Sequence, residues 1–231
     1  MGSGRERGAA VGEANGVELD AARGEVTEHA LETYLPRAKE RRQGIALCLS
    51  GGGYRAALFH LGALRRLNEL GVLSQLDTVS SVSGGSLVSA HLAARLRPWP
   101  QRGEVVAGWE ERVAQPFHAF TRRNIRAGPL FKRLLPWNWP RSQTAVEALR
   151  DTYQRHLIAL KFPELPDQPR FIFSATDMTF GVNLEISKAR LGDYQIGYLQ
   201  PAPDWPVARA VAASSCFPPY FDPLPLGIAP G

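Results

Sequence analysis

The sequence predicts an α/β domain with a central, mostly parallel sheet flanked by helices. Two strand-like segments, residues 45–50 and 76–82, each run into a glycine-containing turn and then into a helix-periodic stretch, residues 56–70 and 87–96. Parallel neighbours need a crossover connection, usually a helix, whereas antiparallel strands need only a short turn. The order strand, helix, strand, helix therefore favours parallel pairing.

The remaining elements follow from the same periodicity. Residues 143–160 have the apolar spacing of a helix, and residues 170–176 and 181–187 have the composition of two further strands. A short helix of small residues is predicted over 207–215, because two prolines follow at 218–219. No internal repeat is found.

Composition supports one globular domain with an N-terminal extension. The chain has 231 residues, of which 44% are hydrophobic and 21% are charged, so it has enough apolar side chains to fill a core. Residues 1–24 are polar and aperiodic, which predicts a disordered leader. Residues 25–43 are expected to form an amphipathic helix, and residues 44–231 the folded domain.

Cysteine usage and hydropathy exclude several classes of protein. The two cysteines, Cys48 and Cys216, cannot make a disulfide framework, and no Cys/His spacing matches a zinc site, so no metal is expected. The chain shows neither the apolar core of a signal peptide nor a run of about 18 apolar residues. We therefore expect a cytoplasmic protein whose contact with membranes, where it occurs, is peripheral.

Residues 97–141 are expected to form an insertion, termed here the basic insertion. Nine basic residues stand against three acidic ones, a net charge of +6, and four of the five tryptophans lie here, namely Trp99, Trp109, Trp137 and Trp139. Arginine and tryptophan suit a surface that contacts anionic headgroups. The alternative is an ordinary helical insertion with buried tryptophans and solvated arginines. No nucleic-acid module accompanies the charge, so no nucleic acid is expected.

Two glycine-containing turns hold the residues that can carry chemistry. Ser83 lies where the second strand turns into its helix and is followed by Gly84 and Gly85, the setting in which a strained turn presents a nucleophilic hydroxyl. A simple turn or N-cap serine fits the same pattern. About 30 residues earlier three glycines, 51–53, end the first strand. Backbone N–H groups can converge there at a helix N-terminus, which favours a developing oxyanion.

The glycine loop also fits a relaxed dinucleotide-binding pattern, G-x-G-x-x-G/A, over residues 51–56. Such a site needs an acidic residue about 20 positions further on, at the end of the second strand. Asp77 is close in number but lies at the beginning of that strand. A dinucleotide-binding domain therefore remains the weaker alternative, and a tight turn without a ligand is another.

The two turns together, G-G-G-x-R opening one helix and S-x-S-G-G opening the next, resemble the patatin-like phospholipases. Residues 171–177 are similar to a strand of that family, and residues 210–218 to its A-x-x-A-S-S-x-x-P segment, so the resemblance covers about residues 44–223. It implies a three-layer fold related to the α/β-hydrolases. It also implies a serine acyl hydrolase that cleaves carboxylic esters of phospholipids or other lipids without a metal or organic cofactor.

The resemblance implies a role for each motif residue. Ser83 would be the acyl-accepting nucleophile. The backbone N–H groups of Gly51, Gly52 and Gly53 would form the oxyanion hole. The residues expected to support the two loops are Arg55, Gly84 and Gly85. The family uses a Ser–Asp dyad, so no histidine is required.

The sequence departs from the family pattern at the aspartate. The family's aspartate lies in a D-G-G or D-G-A motif after the A-S-S-x-x-P segment, and no Asp-Gly pair occurs in these 231 residues. Asp177, Asp193 and Asp222 do not fit that motif and are not assigned. We therefore expect the catalytic aspartate to be absent from this chain. The chain would then be either a C-terminally incomplete part of an enzyme or a non-catalytic lipid- or partner-binding protein with the same fold.

Overall fold

Six strands build one mixed sheet, and they lie in the sheet in the order in which they occur along the chain. The computed structural model describes residues 43–123, 144–201, 204–217 and 223–225. The described residues before position 225 belong to one compact unit. The strands are β1 (Ile45–Leu49), β2 (Leu76–Val82), β3 (Arg170–Asp177), β4 (Val182–Ser187), β5 (Leu191–Asp193) and β6 (Gly197–Leu199).

Helices cover the sheet and one another. Within the described residues they are α1 (Gly53–Glu69), α2 (Gly84–Arg95), α3 (Gln115–Thr121), α4 (Thr144–His156) and α5 (Val207–Ser215). A π-helical turn, Glu110–Ala114, runs directly into α3. Helices α2 and α5 pack against the sheet, α1 packs against α2, and α4 packs against α5.

The sheet is parallel from β1 to β3 and antiparallel from β3 to β6. The crossover from β1 to β2 runs through α1, and the connection from β2 to β3 contains α2, as the order of elements predicted. Because parallel strands end at the same edge, the turns that follow β1 and β2 lie side by side. The predicted α/β class, with a central sheet flanked by helices, is confirmed, and its parallel part holds both glycine-containing turns.

Periodicity predicted the main elements closely. Both β2 and α5 span the predicted residues, and β1, β3 and β4 each differ from the prediction by one residue at one end. The helix predicted over 143–160 ends at His156, because the N–H groups of Leu157 and Ile158 both donate to the carbonyl of Tyr153. The apolar pattern continues past that point because both residues remain buried. The predicted leader and the predicted helix over 25–43 fall almost wholly outside the described residues.

The described part of the basic insertion, residues 97–123, packs its two tryptophans inward. Trp109 is buried, and the Trp99 ring makes an edge contact with Phe171 of β3, with 5.6 Å between ring centroids. The packing of these two side chains therefore agrees with the alternative, an ordinary insertion with buried tryptophans. Trp137 and Trp139 lie outside the described residues. None of the helices in the described ranges is long and apolar enough to cross a membrane.

Helix α2 is enclosed along most of its length, and its His91 has no exposed surface. The Nε2–H of His91 donates to the carbonyl of Val113 in the π-helical turn at 2.9 Å, and its ring packs against Phe117. Nδ1 is buried without a hydrogen-bond partner in the described ranges. Because burial disfavours the charged imidazolium and Arg95 repels it, the pKa of His91 falls to about 4.

Acid should destabilise the fold through His91. Its pKa is about 4 in the folded protein and about 6.5 in the unfolded chain, so the unfolded chain takes up the proton first. The contribution of neutral, buried His91 to the free energy of unfolding is therefore fully present above about pH 6.5 and is lost as the pH falls towards 4. Between pH 7 and pH 5 the free energy of unfolding should drop by about 2 kcal/mol more in the wild type than in His91→Gln, which retains an N–H donor without titrating. Urea unfolding at both pH values measures this, and equal losses in the two proteins would contradict it.

Candidate active site

Ser83 occupies a strained turn between β2 and α2. Its backbone has φ +53° and ψ −115°, and within the described ranges it is the one non-glycine residue with a positive φ. This conformation costs on the order of 1–3 kcal/mol and persists only where the surroundings impose it. Strain at a strand-to-helix turn is the geometry by which a nucleophile elbow presents its hydroxyl at the end of a sheet. Ser83 is half-buried at that edge.

The two glycines after Ser83 let α2 begin directly against the backbone of the preceding strand and loop. A Cβ on Gly84 would collide with the carbonyl oxygen of Gly53, and a Cβ on Gly85 with that of Leu49. Both glycines are buried, and the atoms they would strike belong to the backbone. The pair of glycines is therefore a packing requirement, and the close approach it permits brings the Ser83 turn beside the glycine loop.

The glycine loop, formed by Gly51, Gly52 and Gly53, lies against Ser83. A Cβ on Gly51 would lie 3.3 Å from the Cβ of Ser83, so the missing side chain keeps the space beside the serine open. Gly52 and Gly53 have φ +136° and +65°, conformations that glycine adopts readily. Gly52 is the N-cap of α1 and gives the helix no side-chain cap. The first N–H groups of α1 therefore have no acceptor on the N-cap, and an anion is favoured there.

A histidine to which no motif assigned a role holds the start of this loop. His60 is almost fully buried on α1, and its Nε2–H donates to the carbonyl of Ser50 at 3.0 Å, with the Ser50 Oγ at 3.3 Å. Ser50 directly precedes Gly51, so α1 anchors the loop from which it starts. The signal in the sequence is its spacing, which puts His60 on the same buried helix face as Ala57 and Leu64.

Buried serine hydroxyls surround the base of the Ser83 turn. They belong to Ser81, Ser86, Ser89 and Ser214. Ser214, on α5, accepts a hydrogen bond from the backbone N–H of Ser83 at 2.8 Å and donates to the carbonyl of Ser174 in β3 at 2.7 Å. The Oγ atoms of Ser214 and Ser86 are 2.9 Å apart. The sequence motifs placed Ser214 in a short helix but gave it no role.

The other residues considered for the site have different surroundings. Arg55 is exposed on the first turn of α1, and its support of the loop stays a prediction. The Oδ1 of Asp177 accepts from the N–H of Thr179 at 2.7 Å in the β3–β4 turn. The Oδ1 of Asp193, which is fully buried, accepts from two backbone N–H groups of its own turn at 2.6 and 3.0 Å. Asp222 lies outside the described residues.

The acidic residue considered for a dinucleotide site lies at the wrong edge of the sheet. Asp77 accepts from the N–H of Ile45 at 2.7 Å and pairs with Arg102 at 3.2 Å. These contacts are at the N-terminal ends of β1 and β2, opposite the glycine loop, so Asp77 cannot bind a ribose whose phosphates contact that loop. In the part of the chain that the structure describes, no group of His, Cys, Asp or Glu residues could hold a metal ion.

A sheet whose carboxyl edge holds a strained serine turn beside a glycine loop defines an α/β protein of the hydrolase type. The family model described as patatin-like phospholipase matches residues 47–228, which is most of the chain. The chain therefore belongs to the patatin-like phospholipase family, as its motifs predicted. No curated protein sequence matches it.

Solved structures of human GIVD cytosolic phospholipase A2 resemble the chain in part. Its complex with methyl γ-linolenyl fluorophosphonate gives a TM-score of 0.49 at 16% identity, covering 87% of this chain and 34% of that one. A complex that also contains terbium chloride gives 0.44 at 17% identity, with 87% and 35% covered. A further structure of the human protein gives 0.46 at 17% identity, with 87% and 32% covered. This chain thus spans about a third of the length of these structures.

A methyl group at Gly85 should destabilise the protein, because it would strike the Leu49 carbonyl oxygen. For Gly85→Ala we expect a loss of about 1–3 kcal/mol in the free energy of unfolding. The matched control is Gly62→Ala on α1, where nothing lies within 4 Å of the new Cβ. That variant should gain up to about 1 kcal/mol from helix propensity. Denaturant unfolding measures both, and a Gly85→Ala protein as stable as Gly62→Ala would contradict the close approach.

Proposed function

We propose that this chain supplies the nucleophile and the oxyanion hole of a lipid acyl hydrolase. Membership of the patatin-like phospholipase family supports the hydrolysis of a lipid ester. The observation that carries the residue assignment is the positive φ of Ser83 directly beside Gly51. The Oγ of Ser83 attacks the acyl carbonyl carbon. The negative charge that develops on the carbonyl oxygen is stabilised by the backbone N–H groups of Gly51, Gly52 and Gly53.

The reaction then proceeds in two halves. Collapse of the tetrahedral intermediate breaks the ester C–O bond, the leaving oxygen takes up the proton that the base removed from Ser83, and the acyl group stays on Ser83. Water then attacks the acyl-enzyme, and the same N–H groups stabilise the second intermediate before the fatty acid leaves. Arg55, on the first turn of α1, adds positive charge close to this loop.

An aspartate is proposed as the proton acceptor for Ser83, as the family resemblance implies. Asp177 and Asp193 are not proposed for this role, because each uses its Oδ1 to close its own turn. A serine hydroxyl is a weak nucleophile at neutral pH without such a base. Reactivity of Ser83 towards an acylating or phosphonylating probe is therefore the decisive property.

Replacing Ser83 should remove the activity without unfolding the protein. In the full-length protein, Ser83→Ala should lower the hydrolysis of a p-nitrophenyl acyl ester and of phospholipid micelles by more than about 10³-fold, because the covalent step is lost. It should also abolish labelling by a fluorophosphonate probe. The measurements are the initial hydrolysis rate and the labelled fraction by mass spectrometry.

The matched control is Ser80→Ala, which removes a hydroxyl from β2 three residues earlier. This variant should hydrolyse the ester and be labelled at wild-type rates. Undiminished hydrolysis in Ser83→Ala would refute the assignment of the nucleophile. A full-length wild-type protein that binds lipid but is neither active nor labelled would favour the non-catalytic binding protein instead.

We further propose that the basic insertion brings the protein into peripheral contact with anionic lipid surfaces. The support is its net charge of +6 and the exposure of Arg122 and Arg123 at the end of α3. Basic residues near an anionic membrane contribute about 1 kcal/mol each. The buried Trp109 and the packed Trp99 do not take part in this proposal.

Sedimentation with lipid vesicles tests this contact. The protein should sediment with vesicles that contain phosphatidylserine and not with neutral phosphatidylcholine vesicles. The double variant Arg122→Gln/Arg123→Gln should bind at least about tenfold more weakly. The control, Arg65→Gln/Arg66→Gln on α1, loses the same charge outside the insertion. Equal losses in both double variants would mean that net charge, and not the insertion, governs binding.

A further inference from the structure

The Ser214 hydroxyl has all of its hydrogen-bonding capacity filled, and its partners fix which group donates. A hydroxyl donates one proton and accepts two hydrogen bonds. The Ser174 carbonyl can only accept, so the proton of Ser214 is directed to it at 2.7 Å. The Ser83 N–H can only donate, so it binds one lone pair of Ser214 at 2.8 Å. The Ser86 hydroxyl, at 2.9 Å, must then donate to the other lone pair.

The other buried hydroxyls form a separate pair. Because the proton of Ser86 is committed to Ser214, the longer contact from Ser86 to Ser81, at 3.3 Å, is not made at the same time. Ser81 and Ser89 have their Oγ atoms 2.9 Å apart, and at 3.2 Å Ser81 also reaches the carbonyl of Ile172 and Ser89 that of Ser86. Neither of these two hydroxyls is hydrogen-bonded to Ser83. Ser214 is therefore the hydroxyl of this group that acts on the turn directly.

Ser83 is held on both sides of its Cα atom. Its N–H is bound by Ser214, and its carbonyl accepts the N–H of Leu87 at 3.0 Å in the first turn of α2. Rotation about N–Cα is the angle φ, so fixing the groups on both sides fixes the angle that directs the side chain. Ser214 is itself held by Ser174 in β3 and by Ser86 in α2. A strained φ persists only when it is over-determined in this way.

On the basis of the proposed function, we propose that Ser214 is a positioning residue for the nucleophile Ser83. Its hydroxyl does not contact the substrate. It fixes the N–H of Ser83 and thereby the direction of the Cα–Cβ bond that carries the Ser83 Oγ, relative to Gly51 and the rest of the glycine loop. Misplacement of a reacting atom by about 1 Å can cost about 100-fold in rate, so a small relaxation of the turn is sufficient to slow acylation.

Removal of the hydroxyl should therefore act on the chemical step. Ser214→Ala should lower kcat for ester hydrolysis and the rate of fluorophosphonate labelling by about tenfold or more, with KM unchanged within about twofold. The matched control is Ser215→Ala, the next residue on α5, whose hydroxyl makes no hydrogen bond to the Ser83 turn. Ser86→Ala removes a donor to Ser214 but leaves the acceptor for Ser83, so its loss should be smaller than that of Ser214→Ala. Ser214→Thr retains the hydroxyl and should restore most of the labelling rate.

Hydrogen exchange at the Ser83 amide tests the contact without reference to activity. In the ¹⁵N-labelled full chain, Ser214→Ala should speed exchange of this amide by about tenfold or more compared with Ser215→Ala. An unchanged exchange rate would overturn the contact. Equal loss of labelling in Ser215→Ala, or wild-type labelling in Ser214→Ala, would overturn the positioning role.

Failure of the proposed function gives a different pattern of results. If the full-length wild type is neither active nor labelled, the hydrolase assignment falls and the catalytic role of Ser214 falls with it. The exchange rate of the Ser83 amide still decides whether Ser214 holds the turn. If Ser214→Ala does not fold, Ser86→Ala and Ser214→Thr carry the comparison. If Ser86→Ala and Ser214→Thr were both labelled as slowly as Ser83→Ala, the proposal would be overturned.

Discussion

The structure depends on one close approach between backbones, in which the start of α2 lies directly on the carboxyl end of β1 and on the loop that follows. Gly84 and Gly85 meet the carbonyl groups of Gly53 and Leu49 where a side chain would not fit. This contact joins the two strand-to-helix turns into one unit, and α1 and α2 pack against each other above it. The serine turn and the glycine loop therefore cannot shift independently. The geometry of the candidate site follows from this constraint before any functional group is considered.

The β1–α1–β2–α2 part of the sheet could be predicted because both strands run into glycine-containing turns and helix-periodic stretches follow them. The antiparallel half carries less information. Leu191–Asp193 is only three residues long, and its Gly192 is required because a Cβ there would collide with the carbonyl of Gly197. Neither β5 nor β6 is long enough for alternation to appear. The change of strand direction at β3 does have a signature, because only four residues, 178–181, separate β3 from β4 and a parallel crossover needs a longer connection.

The residues of the candidate site also differ in how far the sequence predicts them. Ser83 and the glycine loop lie in local motifs, so their types and spacing were sufficient to single them out. The groups that hold them were not predicted, since His60 acts through a backbone carbonyl and Ser214 through a contact 131 positions away in sequence. A serine in a short helix of small residues looks the same whether or not it binds a distant N–H. Composition was a poor guide to the surroundings of Trp99. Its neighbours in sequence are basic, but its ring contacts the sheet residue Phe171.

The long separation between Ser83 and Ser214 has a consequence for the timing of synthesis. At about 5–20 residues per second, the ribosome completes β2 on the order of ten seconds before it adds the end of α5. The sheet strands β1 and β2 and both of their helices can associate in that interval, because their contacts are close in sequence. The hydroxyl that fixes the serine arrives only afterwards. A nascent chain thus contains Ser83 before the contact that holds its N–H can form, so the hydrogen bonding of this turn is completed only once α5 has docked.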